Sequence, residues 1–328
     1  MKKQSIRGAR ALAAAGLLAL AAPGAATAAA TETETGQASG GEAPFLYVLG
    51  VAQDGGYPQA RCYAPHCLRA WLDPSLRRLT SCIALVDPDG RAAYLFDATP
   101  DLRQQLFDLQ AVAPAEAMPL KGIFLTHAHI GHYTGLMHLG HEASGARNMP
   151  VYAMPRMRRF LSTNGPWDQL VRYRNIVLVP LADGEAVRLG ATLRVTPMRV
   201  PHRDEYSETV GFRIDGPSRS ALFIPDIDKW SRWKRDIVAL VKSVDYAFLD
   251  ATFFADGELP GRSMAEIPHP FVEESLRLFA ELAPAEKKRI HFIHFNHTNP
   301  LLDETSDAYA TVREAGFELA RQGLRLPL

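Results

Sequence analysis

The segment Thr126-His127-Ala128-His129-Ile130-Gly131-His132 restricts this chain more than any other. It follows the apolar run Ile123-Phe124-Leu125, which reads as a buried strand. Imidazoles spaced by two and by three cannot share one face of a helix or of a strand. They can converge only where a strand ends and the chain turns, so the fold must present a strand end here. Neutral imidazole is the usual ligand for zinc, iron and related metals. Three of them directly after a strand point to a metal site rather than to packing or surface histidines.

The rest of the body repeats short apolar runs broken by turn residues. Strands are expected at 45–49, 82–86, 92–96, 123–126, 151–153, 176–179, 186–189, 192–196, 209–214, 221–224, 246–249 and 290–295, with short ones at 317–320 and 324–326. Helices are expected after Thr99-Pro100, near 136–143, at 233–241, at 270–281 with His269 in the cap position, and at 306–315. Two strand-rich halves, each carrying helices, imply an α/β protein with two sheets face to face and helices outside. His202 and Asp226 each follow an expected strand, and His294 lies near the end of one. Loop edges of a rigid sheet are where catalytic groups gather.

The first 30 residues are expected to lie outside the fold. Lys2, Lys3, Arg7 and Arg10 precede an Ala/Leu-rich stretch, and small residues follow, with Ala-Thr-Ala at 26–28 and Ala-Ala-Ala at 28–30. That is the layout of a cleaved secretory signal peptide, with an apolar core too short for a comfortable membrane span. A periplasmic or secreted location follows. Residues 31–43 read as a flexible leader, and 44–328 as one folded domain. The chain holds 36 basic and 36 acidic residues, so loss of the four basic residues in the signal leaves a net charge of about −4. No basic run stands out, which argues against nucleic acid as a partner. With no membrane role expected after cleavage, the expected partner is a small-molecule substrate; the sequence sets no oligomeric state. Cys62, Cys67 and Cys82 are too few for a disulfide scaffold. Cys62 and Cys67 suit either a disulfide or a small structural metal site, and Cys82 a buried strand position.

The order His127, His129, His132, His202, Asp226, His294, each at an expected strand end, resembles the metallo-β-lactamase-fold superfamily, whose hallmark is H-x-H-x-D-H followed by a later His, an Asp and a last His. The likeness runs from Phe45 onward. It is strongest to the branch that contains the pyrroloquinoline quinone biosynthesis protein B and the cyclic-phosphodiesterase-like members. The carrying segments are VLGVAQDGGYPQ ending at Gln59, FDATPDLRQQL at 96–106 and HFIHFNHTNP at 291–300. The resemblance implies an αββα four-layer sandwich with the metal site at one sheet edge. It implies a first metal position at His127, His129 and His202 with Asp226, and a second at His132 and His294 sharing Asp226. The acid of the family's pattern is Gly131 here. One firmly held metal is therefore expected, the second being weak, absent or completed by another residue, with Asp228 as a candidate.

Zinc is the expected metal, with iron or manganese as alternatives. The expected activity is hydrolysis of a small ester, lactone, amide or phosphodiester by a metal-bound hydroxide, with Asp226 serving catalysis as well as the metal. The alternatives are an iron- and oxygen-dependent oxidase or hydroxylase related to the quinone cofactor, and a non-catalytic metal-binding protein. His269 resembles the extra catalytic histidine of related members; the competing reading is a helix cap. His297 resembles a histidine that joins cysteines in a structural zinc site, which here would comprise Cys62, His66, Cys67 and His297. Arg203, just after His202, is a candidate for holding a substrate anion, the alternative being a solvated charged loop.

Overall fold

A computed structural model describes residues 42–328 apart from Pro260 and Arg262. The expected signal peptide and nearly all of the leader lie outside the described residues.

Each expected strand forms, with ends moved by a few residues. The first half supplies β1 (Phe45–Gly50), β2 (Cys82–Asp87), β3 (Ala92–Phe96), β4 (Leu120–Phe124), β5 (Met149–Ala153) and β6 (Ile176–Pro180). The second supplies β7 (Val187–Leu189), β8 (Leu193–Arg199), β9 (Val210–Asp215), β10 (Ser220–Ile224), β11 (Tyr246–Asp250), β12 (Ile290–Ile293), β13 (Glu318–Leu319) and β14 (Arg325–Pro327). They build two seven-stranded sheets, ordered β14-β1-β2-β3-β4-β5-β6 and β13-β12-β11-β10-β9-β8-β7. The last strand returns to the first sheet and pairs antiparallel with β1. This is the expected sandwich of two mixed sheets with helices.

Period-two alternation divides the strands between layers. Leu46 and Val48 of β1, and Ile83 and Leu85 of β2, join the core that also takes in Val195, Phe212, Ile214 and Phe223 of the second sheet. Their neighbours Phe45, Leu49, Cys82, Ala84 and Val86 point the other way, into a second core with Leu102, Leu109, Met157 and Leu161. Those four sit on the helices Leu102–Leu109 and Pro155–Thr163. Cys82 is a fully buried free thiol there, as its strand position implied. Between the sheets Phe96 stacks on Phe124, with ring centroids 5.2 Å apart, and meets Phe212 edge-on at 5.3 Å.

Strand direction decides where the site sits. β1 and β3 both run antiparallel to β2, and β4 is parallel to β3. β10, β11 and β12 are parallel, and two antiparallel steps through β9 turn β8 the same way. The C-terminal ends of β1, β3 and β4 therefore share one edge, as do those of β8, β10, β11 and β12 in the other sheet.

Two helix expectations change. The helix near 136–143 is instead one α-turn at Ile130–Tyr133 continuing as a 3-10 helix at Thr134–Leu139. Gly135 donates its N–H to the Ala98 carbonyl at 2.9 Å, and a Cβ there would stand 2.0 Å from the Thr99 carbonyl oxygen. That close approach clamps the histidine turn to the end of β3. The helix expected at 270–281 begins at Val272 with Phe271 as its cap, so His269 is not a capping residue. Glu274 accepts the Phe271 N–H at 2.9 Å instead.

Candidate metal centre

Every expected ligand comes to this common edge. β4 leaves its ladder at Phe124, and the Thr126 N–H turns to Asp97 Oδ1 at 2.8 Å. That turn directs the next side chains inward. His127 Nε2 lies 3.1 Å from Asp226 Oδ2, and His129 Nδ1 lies 3.8 Å from the same oxygen. His202 Nε2 is 3.2 Å from Asp226 Oδ1 and 3.2 Å from His129 Nδ1. These four residues lie together as a first candidate donor set, the grouping that the resemblance implied.

The outward nitrogen of each histidine is held. His127 Nδ1 meets Thr126 Oγ1 at 2.9 Å, and that hydroxyl contacts both oxygens of Asp97. His202 Nδ1 is 3.3 Å from Asp228 Oδ1, and His129 Nε2 is 3.3 Å from Glu205 Oε2. Such partners fix ring orientation and leave the inward nitrogen as the donor. Asp228 is thus corrected from a substitute ligand to a support for His202; Arg232 pairs with its other oxygen at 2.8 Å.

The second donor set holds His132 and His294, whose Nε2 atoms are 3.3 Å apart. His132 Nε2 is 3.7 Å from the shared Asp226, and its Nδ1 is 2.7 Å from the buried Asp97. His294 Nδ1 meets Thr252 Oγ1 at 2.9 Å, which donates to Asp250 at 2.7 Å. The Thr–Asp pair behind His127 is thereby repeated behind His294. Both Asp97 and His294 adopt left-handed backbone, φ +73° and +71°. Such conformations cost roughly 1–3 kcal/mol and persist where surrounding structure enforces them. Gly131 offers no ligand atom, as expected. The second set is nevertheless not short of an acid, because Asp54, from the loop after β1, places Oδ1 3.2 Å from His132 Nε2. Sequence reading missed Asp54, Asp97 and Asp250. The available signal was an acid next to Gly55-Gly56 just past the first strand.

The chemistry of the donors fits a metal. Asp54 Oδ1, His127 Nε2 and Asp226 Oδ1 are buried without a hydrogen-bond partner among the described residues, although such groups normally find one. Asp97, Asp226, Asp228 and Asp250 are all buried, and buried carboxylates demand a countercharge. Burial works to raise the Asp226 carboxyl, but His202 and His269 outweigh it and hold it well below its ordinary value. Burial works to lower His202, yet Asp226 and Asp228 push it up to about 10. His132 is likewise raised by Asp97 and Asp54 against burial. In His127 burial prevails, helped by His132, and holds the imidazole well below its ordinary value. Without a metal the carboxylates retain protons on some imidazoles; a bound cation takes over that countercharge.

His269 stands beside this centre. Its Nδ1 lies 2.8 Å from Asp250 Oδ2 and 3.3 Å from Asp226 Oδ1. Asp250 is committed elsewhere too, accepting the N–H of Ile227 at 3.0 Å and of Thr252 at 2.8 Å. Asp226, Asp250 and His269 therefore read as support rather than as another ion site. His269 also lines a cavity of about 220 Å³ with Gln53, Arg203, Phe253, Glu266, Ile267 and Pro268. Arg203 reaches this cavity while its Nη1 lies 3.6 Å from Glu205.

The candidate structural zinc cluster is corrected. Cys62, His66, Cys67 and His297 do lie together, but Cys62 and Cys67 form a disulfide, with Cα atoms 5.9 Å apart. A disulfide sulfur has no thiolate to give zinc. His66 Nε2 approaches Cys62 Sγ at 3.5 Å, and the His66 and His297 ring centroids are 5.9 Å apart.

A family model described as a β-lactamase superfamily domain matches residues 93–295. Coenzyme PQQ synthesis protein B of Xanthomonas euvesicatoria pv. vesicatoria is 30% identical over 310 residues, covering 86% of this chain and 99% of that protein. The crystal structure of Zn(2+)-bound PqqB from Methylobacterium extorquens has 27% sequence identity and a TM-score of 0.72, covering 87% of this chain and 100% of that one. A diphosphatase of the PhnP family, 23% identical with a TM-score of 0.59 over 88% of this chain and 98% of its own, shares the fold.

Proposed function

The chain belongs to the metallo-β-lactamase-fold superfamily, in the branch of the coenzyme PQQ synthesis B proteins, and from that premise we propose that it is a metal-dependent hydrolase of a small ester, lactone, amide or phosphodiester. The observation that carries this reading is two adjacent donor sets, with Asp226 of the first 3.7 Å from His132 of the second, beside a cavity lined by a histidine outside either set. His127, His129, His202 and Asp226 would hold one ion, and His132, His294 and Asp226 would share in holding a second; zinc suits these nitrogen-rich sets. Held by these residues, a divalent ion would supply a water of pKa near 7 and a Lewis acid for the substrate oxygen.

The chain's own residues do the rest. Thr126 and Thr252, backed by Asp97 and Asp250, fix the imidazole tautomers. His269, with Nδ1 committed to Asp250, keeps Nε2 for protonating the leaving group. Arg203 orients an anionic substrate at the cavity wall. Seven residues around about 220 Å³ suit a small substrate. The Cys62–Cys67 disulfide supports a periplasmic or secreted location.

The relatives' name favours a second reading, a part in coenzyme PQQ synthesis, for which the alternative chemistry is an iron- and oxygen-dependent oxidation. One experiment separates the two. Zinc-loaded protein is offered chromogenic phosphodiesters, esters, lactones and amides, and iron-loaded protein is assayed for oxygen uptake with amino-acid-derived compounds. Hydrolysis that a chelator abolishes and zinc restores is expected. Oxygen uptake without hydrolysis by either form would replace the hydrolase reading with the second.

A further inference from the structure

We propose that Asp54 is the carboxylate ligand of the second metal position, and that it stands in for the acid missing at Gly131. The two positions then form an exclusive pair, in which one carries the acid and the other must lack a side chain. This rests on the metal-site reading above and adds a ligand that the family's pattern does not contain.

Asp54 Oδ1 lies 3.2 Å from His132 Nε2 and 3.8 Å from His294 Nε2. That atom is buried and has no hydrogen-bond partner among the described residues. A carboxylate oxygen aimed between two inward imidazole nitrogens has the geometry of a ligand awaiting a cation. A Cβ built on Gly131 would stand 2.3 Å from Asp54 Oδ1 and 2.9 Å from Asp54 Cβ. The Asp54 carboxylate therefore fills the space that a side chain at 131 would use.

The exclusion does not depend on a rotamer. The same Cβ would stand 2.4 Å from Asp54 Cα, so turning the Asp54 side chain cannot relieve the clash. The loop is held at that distance on both sides. Gln53 donates its N–H to the Phe295 carbonyl at 2.8 Å, one residue past His294. Gly56 donates to the Gln53 carbonyl at 2.8 Å and adopts φ +70°, which glycine reaches without strain. The strand end that carries His294 thereby also places Asp54.

The test counts metal. Full-length protein, its Asp54→Ala and Asp54→Asn variants, Gly131→Asp, and the exchange variant Asp54→Gly/Gly131→Asp are loaded with zinc and titrated against a competing chelator. Cobalt absorption gives an independent count. The parent should bind two equivalents, and both single Asp54 variants one. The second equivalent should weaken by more than the roughly 10–100-fold that loss of an outer-shell partner costs. Gly131→Asp should lose stability through the backbone clash. The exchange variant removes the Oδ1 and Cβ clashes and leaves the Cα approach for a loop of three consecutive glycines to relieve by a small shift, so it should regain the second equivalent. If Asp54→Ala and Asp54→Asn keep two equivalents at parental affinity, Asp54 is not a ligand, although the metal site stands. If the parent binds no metal, the underlying site reading falls and takes this assignment with it. The single Asp54 variants decide the matter even if the exchange variant fails to fold.

Discussion

Replacing Asp226 with alanine is expected to empty both metal positions at once. Its two oxygens approach inward nitrogens of both donor sets. Oδ2 lies 3.1 Å from His127 Nε2 and 3.7 Å from His132 Nε2, while Oδ1 lies 3.2 Å from His202 Nε2. Losing a ligand private to one set should lower one equivalent, whereas losing the shared ligand should lower the count from about two per chain to near zero. Hydrolysis should fall to background with it. Asp226 is also the buried countercharge for His202 and His269, and breaking such an arrangement costs about 3–5 kcal/mol. Circular dichroism must accompany the metal count, and Asp226→Asn, which keeps the shape, should lose metal with a smaller stability loss. A folded Asp226→Ala protein that binds two equivalents normally would remove Asp226 from the centre.

The second large effect is expected at His269. His269→Ala should lower turnover by about 10²–10⁴-fold, the usual worth of a positioned general acid, with metal content unchanged. Asp250 and Asp226 raise this imidazole above its ordinary value although burial opposes them. Its protonated form therefore persists to higher pH than that of a free imidazole, and the rate should decline as pH rises through this raised value. In the variant that alkaline decline should disappear. Normal turnover would deny His269 a part in the chemistry. Lost metal would move it among the ligands.

The centre was readable in the sequence to the extent that its residues follow strands. His127, His129, His202, Asp226 and His294 each lie within a few residues of a strand end, and a strand end fixes both position and direction. Their order could be matched to a known pattern for the same reason. Asp54 was not readable as a ligand. Its partnership with Gly131 is a contact between distant loops, and neither local sequence contains it. Asp97 and Asp250 were hidden likewise, because strand-end acids that support histidines look the same as turn acids. Among helices, Pro155–Thr163 had a usable signal in Pro155 at its first turn and in Met157 and Leu161 facing the core. The turn after His132 became 3-10 because Gly135 packs against the Ala98-Thr99 backbone, a tertiary contact that periodicity does not report.

The arrangement proposed for this sheet edge is two ions, each of which Asp226 would help to hold. Anomalous diffraction from zinc-loaded crystals, collected on both sides of the zinc edge, tests it most directly. Two peaks are predicted, one among His127, His129, His202 and Asp226, the other among Asp54, His132, His294 and Asp226. Folded, zinc-saturated protein with no peak at either set, or with zinc only beside His66 and His297, would contradict it.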